Sequence, residues 1–132
     1  MLHTAGRDWV CDSLGKTASR PAAADYLALT ANATAPASGD TTLTAEIATA
    51  SGGLIRKQAT YAHTGGAATY TLTATFTANS NDVPNLPVTI AKVGVFNASS
   101  SGTMPWSSLL SPTATVSASG DALTITETVT VS

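Results

Sequence analysis

The stretch "DALTITETVTVS", Asp121 to Ser132, decides the fold. Apolar and hydroxyl residues alternate along it, and a period of two is the mark of a half-buried strand. Leu123, Ile125, Val129 and Val131 fall on one face. Thr124, Thr126, Thr128 and Thr130 fall on the other. Glu127 interrupts the apolar face. A buried carboxylate is costly unless it is paired, so Glu127 reads as a catalyst, a ligand or a paired charge. Arg56 and Lys92 are the partners considered for a pair inside the domain. The other reading places Glu127 where the strand leaves its own core for a subunit boundary.

The same alternation recurs upstream. "ATYTLTATFTA" (Ala68 to Ala78) places Tyr70, Leu72, Ala74 and Phe76 inward and threonines outward. "LIRKQATYAHT" (Leu54 to Thr64) reads as one strand, closed by the Gly65–Gly66 turn. "VTIAKVGVFNA" (Val88 to Ala98) changes apolar phase between Ile90 and Val93, and the nearby Gly94 suggests a β-bulge. "DYLALTA" (Asp25 to Ala31), "TMPWSSLLS" (Thr103 to Ser111) and "TATVSAS" (Thr113 to Ser119) read as further short strands. "TTLTAEIATA" (Thr41 to Ala50) fits a strand or a short helical turn. "NATAPASGD" (Asn32 to Asp40) is dense in turn residues and reads as a loop. At the N-terminus, Thr4 to Leu14 fits a helix with Gly15 as its C-cap and Trp9, Val10, Ser13 and Leu14 on one face. The expectation is an all-β protein. It is an antiparallel β-sandwich, jelly-roll-like or Ig-like, of about seven or eight strands. Residues 1–24 form an N-terminal helix or arm and residues 25–132 the sandwich, in a single domain.

Composition narrows the function. Charged residues make up 11% of the 132, against roughly 25% in an ordinary soluble domain. A surface of short Thr, Ser and Ala side chains orders at little entropic cost when another protein covers it. Low charge also leaves little to oppose association. Both point to a protein that works in an assembly, the alternative being an ordinary Thr-rich β domain. The net charge of −2 supplies no basic field, so neither nucleic acid nor a membrane is expected as partner. His3, Arg7, Asp8, Asp12 and Lys16 interrupt the first residues, and no secretory leader is expected. No stretch reaches the roughly 20 apolar residues of a membrane span.

A search for chemistry returns little. His63 shares a strand face with Tyr61 and reads as a rim histidine with a hydrogen bond. His3 reads as solvated or touching a neighbour. No His, Cys or carboxylate spacing suits a metal, and no nucleotide fingerprint is present. Cys11 reads as a small core residue rather than as the nucleophile of a pair with His63. Glu46 and Glu127 are the only glutamates, and aromatics make up 5%, which promises no sugar-stacking cleft. Trp9 and Trp106 read as core or interface anchors. Arg56 or Lys57 is expected to pair with Glu127 or Glu46. No catalytic, cofactor-binding or metal residue is assigned, and the chain is not expected to be an enzyme. The candidate structural or interface residues are Trp9, Trp106, Arg56, Glu127 and His63.

From about Tyr26 to Val131 the chain resembles a family of small structural proteins of tailed bacteriophages and prophages. "LALTANATAPASGDTTLTAEIATASGGLIRKQATYAHT", "YTLTATFTA", "VTIAKVGVFNASSSGTM" and "SGDALTITETVTV" carry the resemblance in that order. Gly94, Phe96, Asn97 and Gly102 mark the family's glycine-rich turn. The resemblance implies a virion component without catalytic residues, made in the host cytoplasm and carried on the particle's exterior. Its implied partners are its own copies, with a trimer favoured, and the major capsid protein or tail components. The expected role is capsid decoration (a cement protein), because the chain has neither the heptads nor the stalk of a fibre. The alternatives are a tail-, neck- or baseplate-associated subunit and a receptor- or glycan-binding module. The loop "NSNDVPNLP" is longer than the family pattern and reads as a contact loop or as surface variation.

Overall fold

The computed structural model describes residues 1–132. It holds one helix, α1 (Thr4–Gly15), and seven strands: β1 (Tyr26–Thr30), β2 (Lys57–Gln58), β3 (Thr60–His63), β4 (Thr69–Thr77), β5 (Val88–Phe96), β6 (Trp106–Val116) and β7 (Ala122–Thr130). A single 3-10 turn spans Val83–Asn85. One sheet has the order β2-β1-β5-β6 and the other β3-β4-β7, with every pairing antiparallel. The all-β sandwich expected from the alternation is what the chain forms.

The core lies between the sheets. Leu72, Ala74 and Phe76 of β4 and Ile125 of β7 meet Leu27, Leu29, Ile90, Val93 and Val95 from the larger sheet. Outward-facing threonines of β4 and β7 form cross-strand pairs, with hydroxyls 2.9 Å apart at Thr75–Thr124 and 3.3 Å at Thr73–Thr126. Such pairs favour this register over a one-residue slip, which would turn every core residue outward.

Strands β1 and β5 are covered on both faces. Ala28, Leu43, Phe96 and Met104 form a second small core on the outer side of the larger sheet. The segment Thr41–Ala50 supplies Leu43 and runs as irregular chain. It is tied down by the Thr30–Glu46 bridge and by Ile47 N–H donating to the Leu29 carbonyl at 2.9 Å. This double covering explains the phase change in β5, where Ile90 to Phe96 are all buried.

Three local expectations are corrected. Leu54–Thr64 is not one strand, because the chain changes sheet at buried Ala59. Lys57 and Gln58 pair with β1, whereas Thr60 to His63 pair with β4. Thr103–Ser111 and Thr113–Ser119 merge into the single strand β6, which passes through Pro112. The ladder to β5 is irregular there, since Ile90 pairs with Ala114 and Lys92 with Leu109. Leu110 to Thr113 therefore face Ala91 alone, and a proline missing its N–H is tolerated at such a bulge. The irregularity falls between Ile90 and Lys92, inside the Ile90–Val93 phase change from which a bulge was expected. Finally, Gly15 ends α1 as a helical residue, and extended Lys16 is the C-cap, with its N–H on the Asp12 carbonyl.

The N-terminal arm is part of the sandwich edge. Met1 and Ser107 exchange backbone hydrogen bonds, and His3 N–H donates to the Pro105 carbonyl at 2.8 Å. Leu2 bridges Trp106. Residues 1–3 thereby act as a short extra strand beside β6. His3, expected to be solvated or to touch a neighbour, is fully buried within its own chain. Its Nδ1 donates to the Ala37 carbonyl at 2.8 Å, and in the neutral ring Nε2 accepts from the Ser107 hydroxyl at 2.9 Å. Cys11 is exposed rather than in a core.

Candidate functional site

Three of the five candidate residues converge. Trp9 of α1, Trp106 of β6 and Glu127 of β7 line one groove of about 760 Å³ at the side where the β6 and β7 edges meet. Helix α1 reaches this place through two contacts. Gly6 lies so close to the Pro105 carbonyl that any side chain there would overlap it. Trp9 packs edge-on against Trp106, with centroids 6.2 Å apart, and its Nε1 donates to the Ala22 carbonyl at 2.9 Å. The indole pair sets the helix across the open end of the sandwich.

The groove is mostly apolar, and four of its apolar residues are exposed while Trp9, Val10, Tyr70, Trp106 and Val129 are partly buried. Met1 is 56% exposed, Leu2 45%, Leu14 79% and Val131 67%. Val131 was expected on the core-facing stripe of the closing strand, and Leu14 on one helix face with Trp9, Val10 and Ser13. The inner stripe of β7 is covered at Ile125 and open by Val131. Sequence periodicity identified the stripe but not where the opposing sheet stops.

Glu127 stands at that transition. It is not paired with Arg56 or Lys92. Its Oε1 accepts a hydrogen bond from the Ser108 hydroxyl at 2.8 Å. Burial pushes its carboxyl above the ordinary carboxylate range, while the Ser108 hydrogen bond and the N-terminal ammonium pull it partly back. Trp106, beside it, has a buried Nε1 with no acceptor. Among the groove's neighbours Tyr70 is also shifted upward, first by burial and then by the nearby Tyr61.

The sign of the Glu127 shift fixes a pH dependence. A carboxyl whose folded value lies above its unfolded one binds its proton more tightly in the folded chain. Stability therefore falls as pH rises through the window from the ordinary value of 4.5 to the raised one. Glu127→Gln keeps an acceptor for Ser108 and removes the ionisation. Urea midpoints should show the variant more stable than the parent at pH 7, with the gap closing below pH ~4. A variant less stable at pH 7 would mean that the charge supports the fold.

Arg56 and His63 lie elsewhere. Arg56 forms a two-pronged ion pair with Glu46 at 2.9 and 2.8 Å, as one of the expected pairings had it. It also donates to the Ala98 and Ser101 carbonyls and stacks 3.5 Å over the Phe96 ring. Lys92 donates to the Thr34 carbonyl at 2.9 Å, and Lys57 to the Thr75 carbonyl at 2.8 Å. His63 is exposed on β3, with Nδ1 2.9 Å from the Thr69 carbonyl. Sequence reasoning missed Asp82, which is buried and accepts the Gly53 and Asn79 N–H groups through Oδ2 at 2.8 and 2.9 Å. The carboxylate ties the "NSNDVPN" loop to Ser51–Gly53, and an Asp inside a turn-rich run is the signal that could have marked it. No protein-family model matches the chain, and no curated protein matches it.

Chemically, the groove offers apolar contact area and one carboxylate partly withdrawn from water. That set suits the docking of a polypeptide.

Proposed function

We propose that this chain is a non-enzymatic structural subunit of a tailed-bacteriophage virion, acting as a capsid decoration protein. It docks on the assembled head and stabilises it across subunit boundaries. The observation that carries the docking role is the clustering of exposed Met1, Leu2, Leu14 and Val131 around one groove. On a surface poor in charge, such a cluster is a protein-contact patch. The virion setting rests on the ordered resemblance from Tyr26 to Val131. Binding that recognises only the assembled shell raises its stability by linkage, without chemistry. Self-association, with a trimer favoured, belongs to the same proposal.

The test is location. Immunogold labelling of intact particles should place the chain on heads, and the purified protein should sediment with assembled shells but not with free capsid subunits. Labelling confined to detached tails would replace decoration by a tail, neck or baseplate role. Absence from particles would overturn the virion reading altogether.

A further inference from the structure

The two sheets end at different places on the groove side. The larger sheet is continued past β6 by Met1–His3, through the Met1–Ser107 exchange and the His3–Pro105 bond. The smaller sheet stops at β7. The groove lies in the step between them, since its lining includes Met1 and Leu2 on one side and Glu127 to Ser132 on the other. Helix α1 borders it.

The backbone of β7 on that side is unpaired. Val131 N–H donates to the Ala68 carbonyl, and the Asp121 carbonyl accepts from Ala78. Odd-numbered residues of this strand therefore turn their backbone groups toward β4, and even-numbered ones turn theirs away. Thr124, Thr126, Thr128 and Thr130 carry the outward N–H and C=O groups, and no strand lies beyond them. The other edges are protected. Residues 1–3 and Pro112 guard β6, β2 has two residues, and β3 has four. By contrast, β7 pairs with β4 over nine residues without a register shift and contains no Pro, Lys or Gly. A long, regular, unguarded edge is a template for one more strand.

We propose that β7 and the groove beside it form a strand-addition site for an extended segment of a partner protein, carrying a cation opposite Glu127 and apolar residues at the alternate inward positions. Helix α1 borders the step, and a second copy's β7 would bring its own sheets and N-terminal arm against it, whereas a single extended segment would not. Charge selects the central residue. Glu127 holds one hydroxyl bond through Oε1 and has no side-chain cation beside it, so a lysine arriving there would pair with it. The outward backbone groups of Thr126 and Thr128 flank Glu127 and would bond the residues on either side of that lysine. The site would take such a strand wherever the chain resides, so its test is separate from that of particle location.

The probe is a fluorescein-labelled peptide, VTLTKTLTV, whose side-chain order is the same in both directions. Its control is VTLTETLTV. Fluorescence anisotropy should show saturable binding of the lysine peptide at about 10–100 µM and at least about tenfold weaker binding of the glutamate peptide. Thr126→Pro removes an outward N–H and leaves the β4 ladder intact. It should abolish binding while the melting temperature stays within about 5 °C. Amide exchange of the unmodified protein gives a reading that needs no variant. Thr124, Thr126 and Thr128 should exchange fast alone and slowly with the lysine peptide, whereas Ile125, Glu127 and Val129 are slow in both. No saturable binding below about 1 mM, or equal binding by Thr126→Pro, would overturn the proposal. So would slow exchange at the even positions in a peptide-free dimer, which would make a second copy the occupant.

Discussion

Replacing Arg56 with alanine should lower the unfolding free energy by about 3 kcal/mol, read from urea midpoints at constant slope. The side chain is 8% exposed, and four hydrogen bonds and one cation–π contact end on it. Its fork holds both oxygens of Glu46, with donor–acceptor distances of 2.9 and 2.8 Å. Nη1 binds the Ala98 and Ser101 carbonyls at 3.0 and 2.8 Å and so anchors the glycine-containing turn after β5. The guanidinium also covers Phe96, which belongs to the outer core with Leu43 and Met104. Truncation leaves Glu46 half-buried without its cation and uncovers an aromatic face. Removing one partner of a buried pair costs about 3–5 kcal/mol, and the lower end applies because Glu46 is 22% exposed and partly screened. Arg56→Lys should recover less than half of the loss, because an ammonium cannot reproduce the fork. A double-mutant cycle with Glu46→Ala should show coupling above about 1 kcal/mol. Coupling near zero would mean that Arg56 acts through Phe96 and the turn alone.

Legibility in the sequence followed the number of covered faces. β4 and β7 bury one face and wet the other, so their alternation matched the fold residue by residue. β1 and β5 lie under a second layer built from the 41–50 segment and Met104, and alternation disappears where both faces are dry. The crossing at Ala59 was invisible for a different reason. The residues on both sides of it are extended and exposed, and the local pattern holds no record of which sheet each half joins. Pro112 misled in the opposite direction, because a proline reads as a strand end while a bulge can absorb it.

The candidate site was half legible. Glu127 broke the stripe, and the break marks the place where the sandwich opens. Its expected ion pair failed because Arg56 is already held by Glu46, ten positions away in sequence and beside it in space. Trp9 and Trp106 were read as anchors separately, and their contact across nearly the whole chain has no sequence signature. Nor does the burial of His3, which depends on Ala37 and Ser107.

Gly53→Ala should abolish or nearly abolish folding, with a loss above about 3 kcal/mol. A Cβ at this position would overlap the Thr77 carbonyl at the end of β4. Both the glycine and the carbonyl belong to the main chain, so no flexible side chain can move aside. The segment cannot back away either, because Gly53 N–H is held by Asp82 Oδ2, which also holds Asn79 N–H just after β4. Gly52 is confined in the same clamp by the Asp82 carboxylate and the Thr49 carbonyl. Next to Gly53, Leu54 is 1% exposed in the main core, so a shift of the glycine also lifts a core leucine. Gly39→Ala is the matched control, since nothing lies within 4 Å of a Cβ added there, and it should change stability by less than about 0.5 kcal/mol. Asp82→Ala should fall between them, at about 1–3 kcal/mol, because it frees the loop but leaves two N–H groups without an acceptor. If Gly53→Ala unfolds at the same urea concentration as Gly39→Ala, the close approach of the 49–53 turn to β4 is not what holds the sheets' end together.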